Sequence, residues 1–336
     1  MLEIILPWSK FGVCTLVIMV AGPVLVRSSE IIARETGVSV TWIGVILLAT
    51  ATSLPELTTG ISSVTLADAP NIAVADALGS CIFNLLLLVL LDEISRSEPL
   101  FRQIDQGHIL TAGFGTILIG TVGAIILLNN AGMDFQVFHI SIFSPILIAL
   151  YLVAMRAGFE YQRRASTGEV ETGWRQSEAL KRAVFRYLVA AVAVILAGIW
   201  LPFVGLEIAE VMNWQTTFVG TLLIAASTSV PELVVAISAL RYRLVDMAIG
   251  GLLGSNLFDV LILAIDDILY QKGSLLASVS PAHAVTAFAA VVMSGIFIVA
   301  SLFRPDSKVM GTISWISISL LVVYLFSAFA TFLIGQ

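Results

Sequence analysis

Long apolar runs alternate with short polar stretches along almost the whole chain. A helix needs about 20 apolar residues to cross the hydrocarbon core of a bilayer. Ten runs meet or approach that length, so the pattern predicts an all-α polytopic membrane protein with ten transmembrane helices. Glu3 precedes any basic residue, so the first run is expected to be a span and not a cleavable signal. The predicted spans are residues 11–27, 39–66, 71–91, 107–128, 139–155, 183–203, 216–240, 245–265, 281–303 and 310–334.

The composition supports a chain embedded in lipid. Of its 336 residues, 58% are hydrophobic and only 12% are charged, whereas about a quarter are charged in a soluble domain. We therefore expect the lipid bilayer to be its solvent, and we expect no nucleic-acid partner. The two cysteines, Cys14 and Cys81, lie inside apolar runs and form neither a disulfide framework nor a zinc pattern. They are expected to be small packing residues, and no cofactor is expected.

The basic residues sort to one side of the predicted membrane. If the N-terminus is outside and the spans alternate, all 17 Lys and Arg residues except Lys10 and Lys272 fall on the inner side. Cytoplasmic loops are enriched in basic residues. The pattern therefore predicts a protein of the plasma (cell inner) membrane, with both termini outside and the polar central loop in the cytoplasm.

The two halves of the chain repeat one another. At an offset of 176 residues, T-S-L-P-E-L at Thr52–Leu57 matches T-S-V-P-E-L at Thr228–Leu233. At an offset of 175, L-G-S-C-I-F-N at 78–84 matches L-G-S-N-L-F-D at 253–259. Each half has five predicted spans, an odd number, so the second copy is inverted, as in many secondary transporters. The predicted units are a first repeat at 1–157 with its motif region at 43–91, a linker at 158–182, and a second repeat at 183–336 with its motif region at 219–266.

Glu56 and Glu232 lie in the middle of long apolar spans, where an ionised carboxylate is costly and is functional by default. No Lys or Arg lies at the centre of any predicted span, so the sequence offers neither acid an ion-pair partner there. Pro55 and Pro231 precede the acids and lack an N–H, so they should break the helices and free carbonyl groups one turn earlier. Irregular backbone at membrane depth is tolerated only where it is buried or lines a cavity.

Oxygen ligands are available around both acids. The freed carbonyls and the Thr and Ser hydroxyls of each T-S-x-P-E segment can turn toward a ligand. In the second block, Ser80 and Asn84 are four residues apart, as are Ser255 and Asp259, so each pair shares a helix face. Carboxylates, carbonyls and hydroxyls suit a hard cation such as Ca²⁺, whereas softer metals prefer Cys or His.

These paired motifs resemble the alpha repeats of the cation/Ca²⁺ exchanger superfamily, most of all those of its prokaryotic Na⁺/Ca²⁺ exchangers. The likeness covers nearly the whole chain. It implies alternating access, in which the first and sixth spans slide across a core bundle. It also implies that the transported Ca²⁺ and Na⁺ bind at Ala49, Thr52, Ser53, Glu56, Ser80, Asn84, Ala225, Thr228, Ser229, Glu232, Ser255 and Asp259.

The chain departs from the family pattern close to the implied site. Ala51 and Ser227 replace the glycine that usually precedes each Thr-Ser, and Cys81 replaces the asparagine that usually follows Gly-Ser. Ala75 and Asp76 stand where the family has Gly-Asn. Asp76 is therefore an extra carboxylate, which either tunes the choice of ion or lines a hydrated vestibule.

The leading prediction is a secondary active antiporter that exchanges Ca²⁺ for Na⁺. Glu56, Glu232 and Asp259 would hold one Ca²⁺ or several Na⁺ but not both, and this mutual exclusion is what exchange requires. The alternative keeps the fold but couples Ca²⁺, or another divalent cation, to H⁺, because buried carboxylates can also carry protons. An intramembrane hydrolase is disfavoured because the chain has no nucleophile elbow and no H-E-x-x-H motif. Inorganic cations and lipid are the expected partners, and no obligatory protein partner is expected.

Four further acids end predicted spans. Asp92 and Glu93 end the third span, and Asp266 and Asp267 end the eighth. Their position at the predicted membrane surface leads us to expect that they face water.

Overall fold

The computed structural model describes residues 2–36, 51–95, 100–102, 104–165, 178–304, 308–309 and 313–334. Nearly all of these residues are helical, and the rest form short turns and two small hairpins. The helices are α1 (Leu2–Thr36), α2 (Leu54–Thr65), α3 (Pro70–Ile94), α4 (Gly107–Asn130), α5 (Phe143–Ala165), α6 (Glu178–Met212), α7 (Thr216–Thr228, with a π-helical turn at Gly220–Ile224), α8 (Val230–Arg241), α9 (Val245–Leu269), α10 (Ala282–Phe303) and α11 (Trp315–Ile334). Two 3₁₀ turns lie at Leu100–Arg102 and Leu275–Ala277, and the antiparallel hairpins pair β1 (Gln136–Val137) with β2 (Ile140–Ser141) and β3 (Lys308–Val309) with β4 (Ile313–Ser314).

The long apolar helices agree with most of the predicted spans. Within the described residues, eight helices are long and apolar enough to cross a membrane, and α7 and α8 together make a ninth span that is bent by 44°. The predicted second span, 39–66, includes residues 39–50, which lie outside the described residues. The count of ten spans therefore stays a prediction.

Burial separates a central pair of helices from peripheral ones. In the most apolar stretch of α3, 78% of the residues are buried, and in that of α9, 72%. The corresponding shares are 22% for α1, 22% for α5 and 28% for α11. Because lipid is as apolar as leucine, exposed apolar faces on the outer helices carry no penalty in a bilayer. The helices that bear the duplicated L-G-S block therefore form the centre of the bundle.

The loops sort into two ends of the bundle. At one end, Arg304 at the end of α10 donates a hydrogen bond from Nη2 to the carbonyl of Ile104, between α3 and α4, at 3.3 Å. At the other end, Lys272 after α9 pairs with Asp68 between α2 and α3, with Nζ and Oδ2 2.5 Å apart. These are called the Arg304 end and the Lys272 end below. This sorting agrees with the predicted alternation of loops, whereas the side of the membrane to which each end belongs stays a prediction.

The expectation that the acids at the ends of α3 and α9 face water was wrong for Asp92, Asp266 and Asp267, which are at most 1% exposed. Glu93 is half-buried. The physical reason is that the following segments fold back over the helix ends, and position along the chain does not reveal this. Asp266 is considered further below.

Asp92 and Asp267 each accept three hydrogen bonds from the segments that cover them. Each carboxylate holds the 3₁₀ turn that follows its own helix. Each also holds the hairpin and the first turn of the last helix in the other half of the chain. The donors are Leu100 N (3.3 Å), Ser314 N (3.2 Å) and Ser317 Oγ (2.7 Å) for Asp92, and Leu275 N (2.7 Å), Ser141 N (2.9 Å) and Ser144 Oγ for Asp267.

Candidate cation site

Each T-S-x-P-E segment lies at a helix break. Ser53 precedes α2 with φ −92° and ψ 18°, and Ser229 precedes α8 with φ −79° and ψ 9°. The proline that follows each serine by two residues sits in the first helical turn, where its missing N–H is not needed. Glu56 and Glu232 therefore lie in first turns, where free N–H groups and the helix dipole favour negative charge. Their side chains are nevertheless buried, at 1% and 4% exposed.

The serine at each helix break donates a hydrogen bond to the glutamate at the other break. Ser53 Oγ donates to Glu232 Oε1 at 3.4 Å, and Ser229 Oγ donates to Glu56 Oε1 at 3.5 Å. The offset of 176 residues relates Ser53 to Ser229 and Glu56 to Glu232, so the serine of each repeat contacts the glutamate of the other. Ser255 Oγ of α9 also donates to Glu232 Oε1, at 3.3 Å. All three contacts are longer than the ~2.7–2.8 Å of an optimal O–H···O bond, so neither carboxylate is held tightly.

α3 and α9 cross at two equivalent residues, Cys81 and Asn256. Asn256 Nδ2 donates to the Cys81 carbonyl at 3.3 Å, and Cys81 Sγ lies 3.8 Å from the Asn256 carbonyl. Asn84 Nδ2 donates to Asn256 Oδ1 at 3.0 Å. Contact between a position and its own equivalent is the arrangement that a two-fold relation produces.

Two more acids complete the set, and each has one oxygen in a hydrogen bond. Thr228 Oγ1 donates to Asp76 Oδ1 at 2.9 Å, which joins the extra carboxylate of α3 to the end of α7. Cys81 Sγ donates to Asp259 Oδ2 at 3.6 Å. The second oxygen of each carboxylate has no hydrogen-bond partner among the described residues.

Six buried side-chain oxygens of Asp76 and the predicted site residues have no hydrogen-bond partner in the described part of the chain. Buried polar groups are nearly always partnered, and each one left unpaired costs about 1–3 kcal/mol. One bound cation can satisfy several such oxygens at once, and oxygen ligands are those that hard cations take. The six atoms are Glu56 Oε2, Asp76 Oδ2, Ser80 Oγ, Asn84 Oδ1, Glu232 Oε2 and Asp259 Oδ1.

The acids alone do not form a metal cluster. Among the described residues, no three His, Cys, Asp or Glu side chains converge closely enough to hold a metal ion. Any cation here would therefore be shared between a few carboxylate oxygens and neutral oxygens of hydroxyl, amide or carbonyl groups. Such mixed oxygen sets suit Na⁺ and Ca²⁺ better than transition metals.

Every predicted site residue that the structure describes is buried. Ala49 lies outside the described residues. The carbonyl of Ala225 already accepts hydrogen bonds from Ser229 N at 3.0 Å and from Thr228 Oγ1 at 3.2 Å, so it is occupied within the protein. The buried set is Thr52, Ser53, Glu56, Asp76, Ser80, Asn84, Ala225, Thr228, Ser229, Glu232, Ser255 and Asp259.

A cavity of about 280 Å³ reaches the site from the Arg304 end. Its described lining includes Thr52, Glu232 and Ser255 of the site. Farther out it is lined by His108 and Asp246, whose Nε2 and Oδ1 are 3.2 Å apart. Small ions and water thus have a route to Glu232 from this side.

Gly79 of α3 and Gly254 of α9 occupy equivalent positions. A Cβ on Gly79 would lie 2.7 Å from both Ala225 Cβ and Thr221 O, so α3 and α7 are in close contact there. No described atom lies within 4 Å of the position that a Cβ on Gly254 would take, and Gly254 lines the cavity. Val45 and Ala49, the counterparts of Thr221 and Ala225, lie outside the described residues.

Sequence reasoning missed three participants. It took Cys81 for a packing residue and gave Asn256 no role, yet both lie at the crossing of α3 and α9. The available signal was the alignment itself, because Cys81 and Asn256 occupy matched positions between two candidate ligands. It also placed Asp266 in water, and only the packing of α2 against α9 shows its burial.

These features define a multi-spanning membrane protein with a buried acidic site and an access cavity. The family model described as sodium/calcium exchanger protein matches residues 6–159 and 182–333 of the chain. The chain therefore belongs to the sodium/calcium exchanger protein family, which is a class of membrane transporter and not of enzyme.

Individual proteins agree with this assignment. The sodium/calcium exchanger MaX1 of Methanosarcina acetivorans is 25% identical over 277 residues, which cover 73% of this chain and 78% of MaX1. The structure of native YfkE has a TM-score of 0.69 at 19% identity and covers 99% of this chain and 96% of that one. A structure of the sodium-calcium exchanger NCX_Mj, soaked with Na⁺ and Sr²⁺, has a TM-score of 0.62 at 24% identity, with coverage of 96% and 98%. The two structures establish the shared fold.

Proposed function

We propose that this protein is a secondary active antiporter that exchanges Ca²⁺ for Na⁺ across the plasma membrane by alternating access. The observation that carries the proposal is the set of six unpartnered buried oxygens, four of them on the carboxylates of Glu56, Asp76, Glu232 and Asp259. None of these four acids pairs with a basic residue in the part of the chain that the structure describes, and acids buried in this way need a cation or protons to balance them. The family to which the chain belongs, and the names of MaX1 and NCX_Mj, favour Ca²⁺ and Na⁺ as the cargo.

Competition for the same oxygens explains how two cargoes can be exchanged. One Ca²⁺ or several Na⁺ would neutralise the acids. Both cargoes together would carry more positive charge than the acids balance and would need more space than the site offers. The long contacts from Ser53 and Ser229 leave Glu232 and Glu56 free to turn toward a bound ion. Binding of one cargo therefore expels the other.

The position of the cavity supports alternating access. The cavity lies beside Gly254 at the Arg304 end, and the close contact of Gly79 with α7 shuts the other side. In a pair of inverted repeats, exchange of these two packings would open the site to the opposite face. α1 and α6 pack against each other through Ile18, Leu201 and Val204, in an apolar cluster that also includes Ile72 of α3 and Ile224 of α7.

The division into repeats and the orientation are part of the proposal. The proposed units are residues 1–157, the linker 158–182, and 183–336, and the family model also matches one stretch in each half. The reciprocal contacts of Cys81 with Asn256, and of Asp92 and Asp267 with opposite halves, support inverted copies. The proposed orientation places the Arg304 end in the cytoplasm, because that end carries most basic residues.

Substitution of one acid tests the reaction. Glu232→Gln removes a charge and keeps the size of the side chain, so ⁴⁵Ca²⁺ uptake into Na⁺-loaded proteoliposomes should fall at least tenfold, a loss of about 1.4 kcal/mol or more. The matched control is Glu207→Gln, because Glu207 is a half-buried acid that pairs with Lys10 away from the site. Unchanged uptake in the Glu232 variant would exclude this site as the path of Ca²⁺.

A second candidate couples Ca²⁺ to H⁺ in the same fold. Asp76 favours it, because a fourth buried acid gives a site in which protons can replace Na⁺ as the balancing charge. Ion replacement separates the two candidates. Ca²⁺ uptake driven by a pH gradient in Na⁺-free buffer supports H⁺ coupling, whereas uptake that needs internal Na⁺ and persists without a pH gradient supports Na⁺ coupling. The same series should include K⁺.

A further inference from the structure

Asp266 is a buried acid that the proposed exchange reaction leaves without a role. It lies one turn before the end of α9, at the Lys272 end and two turns beyond Asp259. Its side chain is 0% exposed, and neither carboxylate oxygen has a hydrogen-bond partner among the described residues. Asp267, the next residue, accepts three hydrogen bonds, so the covering loop satisfies one acid of the pair and not the other.

The carboxylate of Asp266 lies directly over Gly60 of α2. A Cβ on Gly60 would overlap Asp266 Oδ2, so only glycine leaves room for the carboxylate at this position. Thr59, beside Gly60, is 0% exposed, and its hydroxyl is also unpartnered within the described segments. Thr59 and Gly60 are three and four residues after Glu56, so they share its helix face, which is directed at the site.

Asp266 is also within electrostatic range of the site itself. Its charge and that of Asp76 are close enough to interact, and Asp76 interacts in turn with Glu56. A row of acids therefore leads from the Lys272 end to the centre, in the order Asp266, Asp76, Glu56. This row lies on the side that the contact of Gly79 with α7 now closes, opposite the cavity.

We propose that Asp266, with the hydroxyl of Thr59, forms an outer cation-binding site for a hard cation of the Na⁺ or Ca²⁺ class. The ion would pass from there to Asp76 and the central site. Within the described residues, the unpartnered carboxylate of Asp266 and the unpartnered hydroxyl of Thr59 provide oxygen ligands of the kind that such ions take. An ion there also offsets the cost of burying a charge without a partner. The role in transport rests on the proposed function, whereas the binding site itself does not.

Equilibrium binding to the purified full-length protein in detergent tests the site without transport. We expect wild-type protein to bind more ⁴⁵Ca²⁺ or ²²Na⁺ per chain than Asp266→Asn, with a difference of one ion. Glu232→Gln should lose the central ions and keep the outer one. The control is Glu93→Gln, because Glu93 is a half-buried acid at the opposite end of the bundle with one unpartnered oxygen, and it should bind as wild type does.

A second variant guards against misfolding of the first. Gly60→Ala keeps the charge but places a methyl group where the carboxylate lies, so the outer ion should bind at least tenfold more weakly. Equal stoichiometry and affinity for both ions in wild type, Asp266→Asn and Gly60→Ala would overturn the outer site, because Asp266 would then be an uncharged buried acid. Elution of each variant as a single gel-filtration peak establishes that it is folded.

Flux measurements separate this inference from the proposed function. If wild type binds the outer ion but no ion gradient drives Ca²⁺ uptake, the proposed function fails and the site stands. If wild type exchanges Ca²⁺ for Na⁺ and Asp266→Asn has the same ion stoichiometry and affinity, the outer site fails and the function stands. If both hold, Asp266→Asn should raise at least tenfold the Ca²⁺ concentration for half-maximal uptake from the Lys272 end, with a smaller change from the Arg304 end.

Discussion

At the scale of single residues, Asp76 decides how negative the site is. Its Oδ1 accepts a hydrogen bond from Thr228, and its Oδ2 is one of the unpartnered oxygens. It therefore links α3 to the end of α7 and adds a fourth carboxylate to Glu56, Glu232 and Asp259. Two unit charges 4 Å apart interact by about 4 kcal/mol at an effective dielectric constant of 20, and by half as much at twice that distance. The interaction energy of one extra charge is thus large compared with the free-energy differences that decide ion selectivity.

Asp76→Asn should weaken the binding of Ca²⁺ more than the binding of Na⁺. The amide keeps an oxygen for Thr228 but removes a charge, and the loss is about twice as large for a divalent ion. We expect the Ca²⁺ concentration for half-maximal uptake to rise at least tenfold and that for Na⁺ by a smaller factor. Ion titrations of flux in proteoliposomes measure both values, with Asp134→Asn, an exposed acid outside the site, as the control. Equal shifts for the two ions would mean that Asp76 only lines a vestibule.

The sequence identified the acids of this site because a carboxylate in an apolar span is conspicuous. It did not identify the contacts, since each acid meets residues more than 100 positions away, as Glu56 meets Ser229 and Asp76 meets Thr228. Cys81 lies in the apolar core, as expected. The sequence did not reveal the contact of its thiol with Asp259, because that acid lies across the crossing of the two helices.

At the scale of elements, Asp92 and Asp267 hold the two halves together. Each carboxylate binds a turn of its own half and a hairpin of the other. Such bonds to a charged acceptor each contribute about 1.5–3 kcal/mol. The last helices of the two halves, α5 and α11, are thereby fixed to the central helices α9 and α3. The scaffold can stay rigid while the site changes its access.

Asp267→Ala should destabilise the folded protein by about 3 kcal/mol or more, because three donors lose their acceptor in a buried place. Asp92→Ala should have a similar effect, since its bonds are equivalent. Thermal unfolding in detergent, followed by intrinsic tryptophan fluorescence, measures the decrease in unfolding temperature. Asp134→Asn is the control. A variant at residue 267 that unfolds at the wild-type temperature would show that the hairpin is held by other contacts.

At the scale of the whole molecule, the proposed alternating access predicts a second arrangement in which the two repeats exchange their packing. Gly79 is packed against α7, and Gly254 faces the cavity. If the repeats exchange their packing during transport, Gly254 must pack closely in the opposite state. The proposed exchange of packing therefore predicts that the opposite state requires glycine at residue 254.

Gly254→Ala should leave the folded protein stable and reduce transport. An added methyl group has no described atom within 4 Å in this state but would obstruct the opposite state, so we expect at least a tenfold slower exchange with little change in thermal stability. Gly295→Ala is the matched control, because it too has no described atom within 4 Å of the new methyl group and lies in α10, away from the site. Normal exchange by the Gly254 variant would contradict the proposed swap of packing.

The sequence by itself determined the apolar spans, the duplicated motifs and the main acids. These depend on local properties, namely the length of apolar runs, the missing N–H of proline and the cost of charge in lipid. The tertiary structure alone decided which residues meet, because packing joins positions that are far apart in the chain. Asp266 and Asp267 show the difference. They are neighbours with the same chemistry, yet the loop after α9 satisfies one, and the glycine of α2 leaves the other buried and unpaired.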